Sequence, residues 1–522
     1  MMKISRFKLS ALAVATAVAC SPAAFATNGY FLHGIGTKAN GMGGVGVALP
    51  QDGLAAASNP AGMSWAGSRA DAGIMLFNPR RDASIDATGM DAANSEMPNV
   101  VGSPGMSASA DSGATLFLVP NAGFVMDMAG MTMGMAMYGN GGMNTRYNQN
   151  IYANAFASAV GATTTLQALF GGGVPSDYSS VGFAGALEQM GIPTGSCFGG
   201  TGIDGSLCAI GGDGSVTGTL GVNLSQLIFA PSVSAKISEN HSVGASVLVG
   251  YQRFRAYGLG LFKSFSQDKD FVTNKGDDDA WGAGVRLGWT GKIADTFMVG
   301  ATYSSKIYMQ KFEKYKGLFA EQGRFDIPAN YGLGISFKPV ASTTVAFDVE
   351  EIMYGDVPAI ANAGPTPDQF IAGLAQGLSN GALTCADLGV TCNAMGSDNG
   401  YGFGWEDTTV YKLGVDYAYN DQWTLRAGVN YAQSPIPDSQ NLLNVVAPGV
   451  VETHATLGFT YVPVKNNEIS VAYMHAFRKD QSYTYNNDTT SAVAPNGFGP
   501  QSYDANIGMS ENSLEVSYGI KF

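Results

Sequence analysis

The chain reads as an all-β protein: a transmembrane antiparallel β-barrel of about 14 strands, its lumen closed by an N-terminal hatch. Three observations predict this. From Ser513 to Phe522 apolar side chains take every second position (Leu514, Val516, Tyr518, Ile520, Phe522), with Ser513, Glu515, Ser517, Gly519 and Lys521 between them. A period of two makes a strand with one oily and one wet face, and roughly 9 to 11 such residues cross a bilayer when tilted. The other end of the chain carries an export leader. Between them the 522 residues are 45% hydrophobic and 13% charged with 70 glycines, and past the leader no apolar run approaches the ~18 residues of a spanning helix.

The leader occupies residues 1–26. Lys3, Arg6 and Lys8 form its basic start, Leu9 to Cys20 its small-residue apolar run, and Ala24-Phe25-Ala26 an A-x-A cleavage site. Cys20 as a lipidation site is the rival reading, but Ala17 stands where such a site carries Leu, and A-x-A follows at once. Of 28 Lys and Arg, three lie in this leader, so the exported chain carries 25 against 41 acidic residues, a net charge of −16. That charge argues against a nucleic-acid partner. Four cysteines remain as two close pairs, Cys197-Cys208 and Cys385-Cys392, which an oxidising compartment turns into loop disulfides. Neither pair has the spacing or the companion histidines of a metal or redox site, and no cofactor is expected.

Residues 27–68 are rich in Gly, Ala and Asn, with Gly41, Gly43, Gly44 and Gly46 closely spaced. They are too irregular for a strand and too glycine-rich for a long helix. A weakly charged, compactible segment of this kind suits a plug inside a barrel occupying 69–522. The G-x-G-G-x-G run is no dinucleotide loop, since no strand precedes it.

Alternating segments then recur at 69–81, 114–128, 130–147, 227–238, 241–255, 280–290, 296–310, 326–338, 342–354, 406–419, 422–433, 451–462, 468–479 and 511–522, fourteen in all. Short connections near 129–130, 239–240, 292–295, 339–341, 420–421 and 464–467 alternate with long ones. Outer-membrane barrels have short periplasmic turns and long outer loops, so the alternation orients every strand. Charge on the lipid face costs ~2 to 4 kcal/mol at the midplane, so charged faces must look inward. By that rule Arg286, Lys306, Asp348, Glu350, Lys412, Asp416, Arg426 and His454 line the lumen, opposite rows such as Tyr411, Leu413, Val415 and Tyr417. Asp416 and Arg426 fall nearly opposite across the Asn420-Asp421 turn and read as a salt bridge, whereas Lys412 has no evident mate. Lys412, Arg286, Lys306, Arg426 and His454 are therefore the lumenal ligand candidates.

In the third strand a lipid-facing row, Met131, Met133, Met135 and Met137, breaks at Gly139-Asn140-Gly141-Gly142, a run that invites a bulge or inward bend. A lateral opening is expected there, one that β-branched residues at Gly141 and Gly142 would close by restoring strand pairing. Two outer-loop stretches mix Leu259, Leu261, Phe262, Phe265, Phe312, Leu318 and Phe319 with Lys263, Lys311, Lys314 and Lys316. That composition suits capture of an amphiphile with an anionic head, or equally lipopolysaccharide phosphates.

These residues resemble the FadL family of outer-membrane transporters for long-chain fatty acids and hydrophobic compounds. The likeness runs through Thr27-Asn28-Gly29-Tyr30-Phe31, Asn59-Pro60-Ala61-Gly62-Met63, Tyr138 to Thr145, Gly317 to Gly323, Phe403-Gly404-Trp405, Pro435-Ile436-Pro437, Ala447 to Val451 and Ala472 to Phe477. The resemblance implies a hatch with Asn59, Pro60 and Ala61 near its junction with the wall. It also implies a passive, ligand-gated path from an outer-loop groove to a lumenal pocket, then sideways into the membrane at a kinked third strand. The expected setting is the Gram-negative outer membrane, with lipid and lipopolysaccharide around a barrel for which a monomer suffices. A general aqueous porin is the alternative, predicting an open charge-lined eyelet. A barrel lipase would need Ser and His on one exposed face, and with four histidines and no G-x-S-x-G no enzyme is expected.

Overall fold

The structure is a computed structural model that describes residues 28–87, 106–128, 130–152, 218–366, 368–370, 372–373, 384–387, 390–486 and 502–522. The leader and the Cys197-Cys208 pairing lie outside the described residues. Sixteen strands are described: β1 Arg69–Ala87, β2 Met106–Asp111, β3 Phe117–Met128, β4 Met131–Asn144, β5 Gly221–Lys236, β6 His241–Tyr257, β7 Asp278–Ala294, β8 Phe297–Ser304, β9 Tyr308–Met309, β10 Asn330–Val340, β11 Thr343–Ile352, β12 Thr408–Ala418, β13 Trp423–Ala432, β14 Thr453–Val464, β15 Asn467–Asn486 and β16 Ser502–Lys521. All but β2 and β9 form one antiparallel ring. β16 closes onto β1 from Arg69↔Lys521 to Asp86↔Asp504, so the ring has no free edge along this seam.

The period of two explains the wall. Tyr411, Leu413, Val415 and Tyr417 point out, as do Leu425, Val429 and Tyr431 on the next strand, whereas Lys412, Arg426, Asp348 and His454 are buried inside. Met131, Met133 and Met135 are likewise exposed on the outer face. The largest departure from the sequence reading is at the outer rim, where β1, β15 and β16 run 19 to 20 residues rather than ending near 81, at 479 and beginning at 511. A register shift between Ala476 and Lys479 reverses the alternation there, which hides the continuation from a period-two reading.

Residues 28–66 pack inside the ring as irregular chain with short helical turns at Thr37–Asn40, Ala55–Ser58 and Met63–Ala66. Most of the segment is buried. Gly43 and Gly44 adopt positive φ, which explains glycine in that run.

Candidate ligand route

The inner segment is held by wall side chains that satisfy its backbone. Asp348 on β11 accepts from the Gly46 and Val47 N–H groups at 2.7 and 2.9 Å. Thr456 on β14 accepts from Gly43 N at 2.8 Å, and Asp71 on β1 from Gly53 N at 2.7 Å. Asn59 is buried, and its amide donates to the carbonyls of Val47 (2.9 Å), Trp289 (3.0 Å) and Ala301 (3.3 Å), while its own carbonyl accepts from Ala61 N. It thus ties the segment to β7 and β8. Opposite it stands Gly288, where a Cβ would lie 1.9 Å from the Asn59 carbonyl oxygen. Inward-facing glycine is therefore the signal for hatch contact, and it was present in the sequence on the charged-face parity.

At the periplasmic end the segment is clamped by charge. Lys38 donates to Glu468 at 2.5 Å, Arg69 binds Glu468 and Asp71 at 2.8 Å, and Lys521 also reaches Glu468. Burial, with Arg69 beside it, lowers the Lys38 pKa, against the pull of Glu468. Such a buried set is costly to break because a lone partner is left charged and unpaired.

The lumenal candidates separate into different surroundings. Asp416 and Arg426 are directly opposite and paired at 3.0 Å. Lys412 does have a mate: it faces Asp348 across the ladder but donates to Glu350 at 2.7 Å, because the backbone of residues 46–47 occupies Asp348. Arg286 donates to the carbonyl of Ala57 and to the Tyr138 hydroxyl, so it holds the inner segment. Lys306 is a correction. β8 stops at Ser304, leaving Lys306 partly exposed beyond the strand with its Nζ on the Asp356 carbonyl at 2.6 Å. His454 stacks on His33 of the inner segment, rings 5.9 Å apart and 11° from parallel. All four ring nitrogens are buried without a hydrogen bond. Burial, then His454 and Lys412, lowers the His33 pKa from 6.5 to about 3.

Among the described residues, one cavity has polar walls including Arg286, Asp348, Glu350, Lys412 and Asn140 beside Phe31 and Leu32. A second, nearer the outer loops, is apolar. Leu259, Phe262, Leu318 and Phe319 line it with Tyr152, Val222, Phe254, Met395, Tyr401, Phe403, Leu443 and Val446. Leu261, Phe265 and Phe312 are buried but do not line it; Phe265 stacks on Phe370 and Phe312 packs on Phe254. The residues from 395 to 446 were not anticipated as pocket walls, because nothing in a local pattern says which loops fold inward. The Cys385–Cys392 disulfide is formed in one of those loops. Tyr30, Tyr354 and Trp405 are in mutual ring contact, beside Phe31 of the polar cavity. The Tyr354 hydroxyl accepts from Tyr30 N and donates to the Asn28 carbonyl.

The wall itself parts beside this cluster. β4 pairs with β3 only from Met131 to Tyr138, while Phe117–Pro120 of β3 pair with β1 alone. Pro120, without an N–H to donate, marks where pairing ceases. Beyond Tyr138, β4 stays with β5 through a bulge at Asn140, and residues 139–145 are buried on both faces. Gly141 bridges to Phe31, with Leu32 N donating to Asn140 O and Gly142 N to Tyr30 O, each at 3.1 Å. A Cβ on Gly141 would lie 1.9 Å from the Tyr30 carbonyl oxygen. This corrects the expectation that larger residues there would restore wall pairing; they would push against the inner segment instead.

Residues 213–522 match the model of a family described as outer membrane protein transport protein (OMPP1/FadL/TodX). Among solved structures, the Pseudomonas putida toluene transporter TodX is similar at TM-score 0.55 and 18% identity, over 94% of this chain and 99% of that one. A Pseudomonas aeruginosa FadL homologue gives 0.59 and 16%, over 95% and 100%. The Ralstonia pickettii toluene transporter TbuX gives 0.50 and 16%, over 94% and 99%. No curated protein matches the sequence. At these identities the structural likeness speaks to the fold alone, a closed antiparallel barrel.

Proposed function

The chain belongs to the OMPP1/FadL/TodX family of outer-membrane transport proteins, and from that premise we propose a passive route for hydrophobic compounds that leaves sideways through the barrel wall. Cargo enters the apolar cavity, where each Å² of apolar surface removed from water gains about 25 cal/mol. It then displaces the Asn28 to Leu32 strandlet, crosses beside the polar cavity, and enters the bilayer between Phe117–Pro120 and Gly139–Gly142. The bilayer is the sink, so no energy source is required. Residues 27–68 act as a hatch whose Lys38–Glu468 clamp keeps it seated, with Asn59, Pro60 and Ala61 as the junction to the wall. TodX and TbuX are toluene transporters, and a cargo of that kind is consistent with such a route. Transport, with no catalytic step, is the role.

The observation that supports this reading best is the departure of β4 from β3 at Tyr138. Deleting Asn140 tests it. The bulge residue is removed, the inward–outward alternation continues from Tyr138 through Gly141, and β4 can re-pair with β3. Uptake of a hydrophobic tracer into cells should fall at least fivefold, with surface level and heat-modifiable migration unchanged. Undiminished uptake would send the exit elsewhere, most simply straight to the periplasm.

A further inference from the structure

The lining of the apolar cavity bears on the charge of the cargo. Among the described residues, no Lys, Arg, His, Asp or Glu lines it. Among the described lining residues two side chains carry a hydroxyl: Tyr152 Oη donates to the Leu442 carbonyl at 2.7 Å, and Tyr401 Oη accepts from Asn393 N. The lysines expected to hold an acidic head group are not among the described lining residues, and each has a partner elsewhere. Lys311 donates to Gln322 and Lys314 to the Asp277 carbonyl, while Lys316 pairs with Asp268 at 3.6 Å and stands over the Phe271 ring; Lys263 also has a partner.

The loops that wall the cavity on the other side are uniformly acidic. Residues 353–407, which contribute Met395, Tyr401 and Phe403, carry Asp356, Asp368, Asp387, Asp398, Glu406 and Asp407 and no Lys or Arg. Residues 433–452, which contribute Leu443 and Val446, carry Asp438 and Glu452 and again no Lys or Arg. A carboxylate entering here would lose hydration with no cation among the described lining residues to replace it.

Resting on the transport reading above, we infer that this site selects an uncharged hydrophobe, a neutral hydrocarbon, aromatic or ester, and discriminates against a fatty-acid anion of the same chain length. The test uses two probes that differ only in charge, methyl decanoate and decanoate at pH 8. Radiolabelled forms are bound to the full-length protein in lipid nanodiscs, each corrected for partition into protein-free nanodiscs. The methyl ester should half-saturate at a concentration at least tenfold lower than the anion. Met395→Lys should bring the two within threefold, whereas Met395→Gln should not. Decanoate binding as tightly as its ester to the unaltered protein would overturn the inference and leave the transport reading standing. Saturable binding of neither would overturn both.

Discussion

Gly141→Ala is the smallest change that separates the inner strandlet from the wall. The added methyl would lie 1.9 Å from the Tyr30 carbonyl oxygen, where real contacts stay beyond 3.0 Å, so the two backbones must part by about 1 Å. That distance abolishes the bonds from Leu32 N to Asn140 O and from Gly142 N to Tyr30 O. At a net ~1 kcal/mol each, their loss raises the unseated population of residues 28–33 about 30-fold. The barrel should be spared, because Gly141 keeps its partner Gln226 on β5. Hydrogen–deuterium exchange read by mass spectrometry reports such local opening directly. Peptides covering 28–33 should exchange about 30-fold faster, with residues 53–63 and β5 little changed. Unaltered protection of 28–33 would refute the argument that β4 holds this strandlet.

Three further outcomes follow. Deleting Ala39 to Gly46 removes the chain that fills the lumen against β11 to β14 and should raise small-ion conductance in planar bilayers; an unchanged conductance would deny the hatch role. The imidazole of His33 has its pKa lowered from 6.5 to about 3 on seating, so its contribution is complete above pH 6.5 and lost as pH falls toward 3. Exchange of residues 28–46, corrected for intrinsic rates, should therefore be faster at pH 4.5 than at pH 7.5, and His33→Phe should flatten that difference. Replacing Cys385 and Cys392 by Ser removes a short staple that the chain-entropy model rates at about 2.5 kcal/mol. The loop should become protease-sensitive while the barrel stays heat-modifiable, and mass mapping of the unaltered chain should also find Cys197 joined to Cys208.

Much of the wall was legible because one constraint acts at every position: lipid on one face forbids charge there. That is why the inward placement of Lys412, Asp416 and Arg426 and the opposition of Asp416 to Arg426 could be read from alternation alone. Lys306 escaped the rule because parity says nothing about where a strand ends. The mate of Lys412 was not legible either, since Asp348, its cross-strand neighbour, is taken by backbone groups of a segment just over three hundred residues earlier. The cavities were the least legible part. Their walls come from loops whose packing is set by contacts such as Trp405 Nε1 to Asn444 at 2.7 Å and Tyr147 Oη to the Val445 carbonyl, and these have no periodicity to betray them.

The bonds of the inner segment also impose an order of assembly. Its residues leave the secretion machinery first, yet they bind Asp348 on β11, Thr456 on β14, Glu468 on β15 and, through Thr37, Glu515 on β16. The last of those partners, Glu515, arrives only with the final strand of the chain. The first part to emerge is thus the last to be housed, and it waits as solvated chain while fourteen strands are laid down around its future place. A defect in β16 would then do double damage, leaving both the seam with β1 open and the lumen unfilled, whereas a defect in residues 28–66 would leave a closed but leaky ring.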